Sequence, residues 1–414
     1  MTPEVKKRIE QIRHGNVPEG YKETKARVVP ADWTEYAIGD CLERVERPVK
    51  VQADEMYTQI GIRSHGKGVF YKEPVYGESL GNKAVFWIEP DCFVLNIVFA
   101  WEQAIGKTTQ NEVGMIGSHR FPMYRPADDR IDIDYLISYL MTKRGKDILE
   151  AASPGGAGRN RTLGQDRFLK SRIVLPPIAE QRHIAKILSA QDRIIELKEK
   201  RLEEKQRQKK YLMQQLLTGK RRLSGYSAAW GTVELSEVFD YIQPTPYLVA
   251  STDYSDAYKT PVLTAGKTFI LGYTGETHGI FNKLPVVIFD DFTTASKYVD
   301  FPFKAKSSAM KILTVKDGYN IRFAYEAMQL IDFVVGGHER HWISKYSKQT
   351  IDVPCFDEQC AIAKIITAMD QELELLRQDM EQEKQKKKAL MQFLLTGIVR
   401  VTDDKQSGKT REAQ

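Results

Sequence analysis

Apolar positions recur along this chain with two different periods, and the switch between them divides it. Ile362, Ile366, Met369, Leu373, Leu376 and Met380 alternate spacings of four and three, which keeps one apolar seam of a helix facing a partner helix. Ile184, Leu188, Ile195 and Leu202 follow the same rule, with Gln191 and Lys198 interrupting the seam. Elsewhere the apolar runs are short and β-prone, as in AVFWI at 84–88, FVLNIVF at 93–99 and PVVIFD at 285–290, and glycines break them. The pattern predicts two α/β domains, over about 33–173 and 230–351, each followed by a long helix.

The helical segments are copies of one another. LPPIAEQRHIAKILSAQDRIIELKEKRLEEKQRQKKYLMQQLLTGKRR from Leu175 aligns without a gap on VPCFDEQCAIAKIITAMDQELELLRQDMEQEKQKKKALMQFLLTGIVR from Val353. The shift is 178 residues (354 minus 176), so Glu180-Gln181 falls on Glu358-Gln359 and Leu216-Leu217-Thr218-Gly219 on Leu394-Leu395-Thr396-Gly397. Identity at roughly half the positions makes this a true internal repeat. Pro176 and Pro354 suit helix entry and Gly219 and Gly397 suit a left-handed cap, leaving a run of about 40 residues, or about 60 Å. The entries of the globular segments also look related, because Gly20-Tyr21 before Trp33 resembles Gly225-Tyr226 before Trp230, yet their middles hardly align. A further helix is expected from Pro3 to Arg13, and the polar tail after Val401 is expected to be disordered.

At 414 residues the chain is too long for one core, and 42% hydrophobic with 28% charged residues excludes global disorder. It has no run approaching about 18 apolar residues, and Lys6, Lys7 and Arg8 lead to Glu10 and Gln11 rather than to a signal peptide's apolar core. A cytoplasmic location is expected. Cys41, Cys92, Cys355 and Cys360 form no C-x-x-C pair, and read as small buried hydrophobes in a reducing compartment. The net charge of +6 permits nucleic-acid binding without demanding it. Distribution says more: 178–222 carries thirteen Lys and Arg against six Asp and Glu, and EEKQRQKK at 203–210 recurs as EQEKQKKK at 381–388. Such runs are either solvated helix faces or a partner-docking surface.

Catalytic motifs are missing where they would be expected. The one Pro-Pro, in Leu175-Pro176-Pro177-Ile178, is a helix entry and not the Pro-Pro-aromatic motif of an adenine methyltransferase. Gly266-Lys267-Thr268 and Gly408-Lys409-Thr410 lack the P-loop's upstream glycine, having Pro261 and Asp403 there. Asp290 and Asp291 with Lys297 only loosely evoke a nuclease cluster. His338 and His341 find no third metal ligand and read as satisfied or DNA-facing.

What remains is loops in which Gly and polar residues alternate with cations and aromatics. The first domain offers Arg63, His65 and Lys67, then Arg120 and Arg125, then Arg159, Asn160 and Arg161; the second offers Lys267, Thr268 and Tyr273, Thr293 and Lys297, and His338, Arg340 and Lys345. Arg and Lys reach guanine edges or phosphates, Asn reads adenine, and Gly admits close backbone approach. These are the candidate DNA contacts. The helix seam adds candidate subunit or coiled-coil contacts: Leu216 and Leu394 beside the ten apolar positions already given.

PPIAEQRHIAKIL at 176–188 with LLTGKRR at 216–222, EQCAIAKII at 358–366 with LLTG at 394–397, and PVVIFDDFTTASKYVDFPF at 285–303 resemble the specificity subunit of type I restriction-modification systems. The resemblance implies an α/β, pseudo-twofold fold. An N-terminal helical segment (1–24), recognition domain 1 (25–175), spacer helix 1 (176–222), recognition domain 2 (223–352), spacer helix 2 (353–400) and a tail (401–414) follow in order, with the spacers packed as an antiparallel coiled coil. It further implies a non-catalytic chain that binds double-stranded DNA, two methyltransferase subunits and restriction/translocase subunits. S-adenosylmethionine, ATP and magnesium then sit on those partners, and this chain holds neither cofactor nor metal. The rival readings are a self-contained DNA modification enzyme with degenerate motifs and a coiled-coil scaffold that never touches DNA.

Overall fold

The computed structural model describes residues 2–24, 27–81, 84–155, 161–266, 268–334 and 340–401. The chain divides into two compact units, and both divisions fall inside the long helices: Met1–Leu197 with Met380–Gln414, and Lys198–Asp379. Each unit therefore owns one globular domain and half of each helix.

In the first unit the expected helix Pro3–Arg13 forms, with the Thr2 side chain accepting from the Val5 N–H. The strand Thr34–Ala37 pairs antiparallel with Arg172–Leu175, the strand that leads into the first long helix. An antiparallel sheet runs in the order Ile105–Lys107, Phe93–Leu95, Met123–Pro126, Leu42–Val45. Helix Ile133–Leu140, capped by Asp132, covers it. The core gathers Phe93, Tyr124, Leu136 and Phe168 with Ile184, Leu188, Leu394 and Leu395. Both helix halves are thus part of this unit's own core.

The second unit repeats the frame with different residues. Gly231–Glu234 pairs with Thr350–Val353, the strand leading into the second long helix. Its four-stranded sheet has the order Phe239–Ile242, Met310–Val315, Val286–Asp290, Ser296–Val299. Helix Ile321–Met328, capped by Asn320, matches Ile133–Leu140. A second sheet of Ile270–Thr274, Thr260–Leu263 and Lys304–Ala305, the last joined in parallel, has no counterpart of that form among the described residues of the first unit. Divergent middles thus stand on a common frame of entry strand, four-stranded sheet and capped helix.

The two long helices are Ile178–Leu216 and Phe356–Leu394, of 39 residues each. Their halves run antiparallel in either unit: Gln191 donates to Glu383 in the first, while Lys198 meets Asp379 and Lys205 meets Glu372 in the second. Ile184, Leu188, Leu216, Ile362, Ile366, Leu373 and Leu394 are buried, and Ile195, Leu202, Met369, Leu376 and Met380 are half-buried. Gln191 and Lys198 do not break the seam as the residue pattern suggested. They occupy seam positions and are satisfied by acidic partners across it. Gly219 and Gly397 take φ of 66° and 75° just past the helix ends, the left-handed conformation that ends a helix cheaply with glycine.

The repeated Glu-Gln pair has a local purpose in each unit. Gln181 Nε2 donates to the carbonyls of Arg130 and Pro176, and its Oε1 accepts from the Asp132 N–H. Gln359 makes the equivalent three bonds, with Gly318, Pro354 and Asn320. One buried amide thereby fixes the first turn of the long helix to the cap of the domain helix. Leaving such buried backbone groups unpaired costs about 1–3 kcal/mol each.

Two cysteines depart from the expectation. Cys41 and Cys92 are buried, and burial pushes the Cys92 thiol up to about 11. Cys355 is exposed at the helix entry and Cys360 is half-buried, with the Asn320 Nδ2 donating to its Sγ.

Candidate nucleic-acid interface

In the first unit Arg63, His65 and Lys67 lie exposed on the hairpin between strands Ile60–Ile62 and Val69–Tyr71. His65 takes φ of 61°, and Gly66 and Gly68 are also left-handed. That geometry turns the hairpin sharply and presents its cations outward. The Arg63 guanidinium sits 4.9 Å from the centre of the Phe70 ring, a cation–π contact that orients it without neutralising it.

Segment 96–103, whose first residues belong to the β-prone run 93–99, leaves the strand after Leu95 and ties three candidate loops together. The Glu102 carbonyl accepts from the His65 N–H, the Ile97 N–H donates to the Arg120 carbonyl, and the Ile97 carbonyl accepts from Leu163. Arg161 stacks over Trp101 at 5.4 Å. Beside this hub opens a cleft of about 520 Å³ lined by Ser64, Phe70, Lys72, Asn96, Phe99 and Phe121, among others. Asn96 has its Oδ1 engaged by the Val98 N–H. Its lining holds one cation, Lys72, and one carboxylate, Glu102, which accepts from the Ser64 hydroxyl; with the aromatic walls and the exposed cations of the neighbouring hairpin this suits contact with phosphates and base edges. Arg125 stands apart from the hub, on strand Met123–Pro126, in an ion pair with Glu43. Arg159 and Asn160 lie outside the described residues.

In the second unit Asp291 organises the candidates. It is buried and ion-paired with the equally buried Lys311 at 3.6 Å. Its carbonyl accepts from the His341 N–H and its Oδ1 from the Trp342 N–H, which anchors the loop bearing exposed Arg340 and Lys345. The neighbouring Asp290 accepts from the N–H groups of Phe292 and Thr293, closing the turn that exposes Thr293. Both carboxylates are spent on structure, and among the described residues no group of three His, Cys, Asp or Glu is placed to hold a metal. Thr268 is exposed and Tyr273 half-buried on the separate hairpin Thr260–Leu263 and Ile270–Thr274, and Lys297 is half-buried in strand Ser296–Val299. Lys267 and His338 lie outside the described residues.

His341 departs from the sequence reading. It is fully buried against Phe333, and among the described residues neither ring nitrogen has a hydrogen-bond partner. Burial takes it away from any ligand-facing position, and among the described residues it is not satisfied.

Comparison with known proteins adds an independent line. The family model for the type I restriction modification DNA specificity domain matches residues 30–206 and 228–383. The specificity subunit of the type I restriction enzyme EcoR124I/EcoR124II of Escherichia coli is 53% identical over 141 residues, an alignment spanning 33% of this chain and 34% of that one. The MjaVIII specificity subunit of Methanocaldococcus jannaschii is 23% identical over 439 residues, 92% of this chain and 96% of that one. Among solved structures, the S subunit of a type I restriction-modification system from M. genitalium superposes with a TM-score of 0.58 at 13% identity, covering 90% of this chain and 97% of that one. A chain from a structure of type I R-M complex assembly gives 0.55 at 16% identity, covering 90% and 99%. At such identities the likeness concerns the fold.

Proposed function

Because this chain belongs to the type I restriction-modification DNA specificity family, we propose that it recognises a bipartite DNA target, with domain 25–175 reading one half and domain 223–352 the other. DNA sequence recognition, without catalysis of its own, is what membership assigns to the chain. The assignment to half-sites rests on one observation above all: two globular domains share a frame from entry strand to helix cap, while the loops between differ. A common frame holds the DNA contacts in equivalent places, and divergent loops let each domain read different bases.

In this reading the long helices set the gap between half-sites and dock methyltransferase subunits. These transfer a methyl group from S-adenosylmethionine to adenine N6, and restriction/translocase subunits using ATP and magnesium cleave unmodified DNA. The chain's contribution is positional: Arg63, Arg161, Thr293 and Arg340 meet DNA while chemistry occurs on partner chains. Among the described residues no helix is long and apolar enough to cross a membrane.

The test is a domain exchange. Replacing 230–351 by the matching segment of a relative and mapping N6-methyladenine genome-wide is expected to change one half of the motif and leave the other. Both halves changing together would remove the half-site assignment. Methylation by the purified chain alone, given S-adenosylmethionine, would favour the self-contained enzyme instead.

A further inference from the structure

The cleft beside segment 96–103 contains one group at odds with a surface that meets DNA. Glu102 lines it, half-buried, together with Phe70, Phe99 and Phe121. Among the described residues its carboxylate has no ion-pair partner and accepts one hydrogen bond, from the Ser64 hydroxyl to Oε2 at 2.7 Å. Its Oε1 is left open. A carboxylate there repels phosphate oxygens and has no proton to donate to them. Base edges are different, because they carry amino groups as well as acceptors.

The backbone that carries Glu102 is held on two sides. Glu102 ends the short turn Ala100–Glu102, and Gln103 closes it at φ 57°, a left-handed conformation that a non-glycine residue keeps only where its surroundings enforce it. The Gln103 side chain donates to the Leu140 carbonyl at the end of the domain helix, at 2.8 Å. The carbonyls of Glu102 and Gln103 accept from the N–H groups of His65 and Gly66 at 2.8 and 2.9 Å. The turn is thereby locked between the domain helix and the hairpin that exposes Arg63 and Lys67. Asn96 also lines the cleft, nearly buried, with its Oδ1 engaged by the Val98 N–H, and its Nδ2 has no partner among the described residues. Exposed Lys72 forms no ion pair among them either. One fixed acceptor thus stands beside two available donors, in a cleft walled by phenyl rings.

Resting on the functional reading above, we propose that Glu102 is a specificity-determining residue of the first domain, its Oε1 accepting from the 4-amino group of one cytosine in that domain's half-site. Asn96 Nδ2 and the Lys72 ammonium donate to the O6 and N7 acceptors of the guanine paired with it. Thymine and guanine present only acceptors in the major groove, so either would turn lone pairs toward Glu102. Adenine has an amino group, but beside it on the same base lies the N7 acceptor, which an amide side chain matches and a carboxylate does not. The phenyl walls lower the local dielectric, which strengthens the bond to a cytosine amino group and raises the cost of a wrong base.

The test measures retention of duplexes by the chain assembled with its partner subunits, using the half-site that the domain exchange leaves unchanged. Each cytosine of that half-site, on either strand, is replaced in turn by 2-pyrimidinone, the same ring without the 4-amino group. Wild type is expected to lose roughly tenfold at one cytosine. Glu102→Ala is expected to bind the unmodified duplex about tenfold more weakly and to lose nothing further at that position. Glu102→Gln keeps an acceptor for Ser64 and is expected to admit adenine beside cytosine, seen as one degenerate position in the methylated motif. Melting temperatures control for folding, and should Glu102→Ala misfold, the motif of Glu102→Gln carries the test. An unaltered motif there would overturn the proposal. Equal weakening of every duplex by Glu102→Ala, with the 2-pyrimidinone loss intact, would also overturn it and leave Glu102 a brace for Ser64. Tighter binding to all sequences would do the same, the carboxylate being then a repulsion alone, and so would coupling to an adenine or a half-site without cytosine. All of these outcomes leave the functional reading standing. A wild-type complex that prefers no sequence would remove that reading and this proposal together.

Discussion

Arg400, just past the end of the second long helix, closes on Glu180 in the first turn of the first, donating through Nε at 2.7 Å and a terminal nitrogen at 2.9 Å. The repeat performs the same exchange in reverse, for Arg222 after the first helix binds Glu358 at the start of the second. Each unit is thus clasped by the end of one long helix and the beginning of the other. Glu180 is nearly buried and also accepts from the Trp33 indole N–H. Glu180→Ala strands the Trp33 indole donor, while Arg400 keeps its two bonds to Asp32, so a loss of about 1–3 kcal/mol is expected, the range for one unsatisfied buried group. Urea unfolding of the full chain checks it. A loss near zero would mean that water substitutes freely for the carboxylate.

The two left-handed glycines lead to unequal expectations. A Cβ at Gly397 would fall 2.5 Å from Pro30 Cδ and 3.1 Å from the Trp33 ring, whereas at Gly219 it would meet Trp230 at 3.5 Å. Both positions strain an alanine through φ, by about 1 kcal/mol or more, but only Gly397 adds a collision. Gly397→Ala is expected to lower the melting temperature clearly further than Gly219→Ala. Equal losses would show that Pro30 yields.

Glu326 gives the second unit a pH dependence whose sign can be stated. Burial pushes its carboxyl above the ordinary glutamate value, against Arg322 and Lys209, which pull it down. The fold therefore favours the protonated form, so its contribution to stability is complete below the unfolded-state value and is lost as pH rises through the folded one. Glu326→Gln is expected to flatten this part of the stability–pH profile and to help most at neutral pH. Arg322 retains Asp370 in the variant. A profile that keeps its slope would place the titration elsewhere.

How much of this was legible beforehand depends on what kind of signal carries it. The long helices, their glycine ends and the helix Pro3–Arg13 follow from spacing and capping chemistry, which are local. The Glu-Gln pair stood out as a repeat, but its purpose did not, because Gln181 and Gln359 bond to carbonyls and caps some 40 to 50 residues away. Trp101 and Asn96 were missed for a related reason: nothing in their neighbourhood distinguishes a hub from an ordinary turn. His341 was misread because burial depends on the tertiary surroundings of Phe333. The polar seam at Gln191 and Lys198 was read as an interruption since single-helix patterns omit the partner strand of charges.

At the DNA interface, Arg161 is held over Trp101 and Arg340 is anchored through Asp291. Alanine at either position is expected to weaken DNA retention by the assembled complex, by about 1–3 kcal/mol with relaxed specificity at one base if it reads an edge. If it holds phosphate, weakening is uniform and the salt slope falls by about 1. Retention across a salt series with matched and single-mismatch duplexes separates the two. Unchanged retention would take that arginine out of the interface.

The last expectation concerns the polar seam in the first unit, where Gln191, 4% exposed, donates to Glu383 Oε2 at 2.7 Å. A heptad rule would place leucine at 191, and a lone polar residue in a seam commonly fixes register at the expense of stability. Glu383→Leu removes the carboxylate but spares the Glu383 carbonyl, which already accepts from the same amide at 3.3 Å. The cost is therefore expected at the lower end of the range for an unsatisfied group, about 1 kcal/mol. Adding Gln191→Leu replaces both partners by apolar groups, which is near neutral or stabilising, so the double variant should recover what the single one lost. Urea unfolding of the three proteins measures the coupling directly. If the double variant is instead the least stable, the amide is holding the register of the pair, and leucines at both positions let the helices slip.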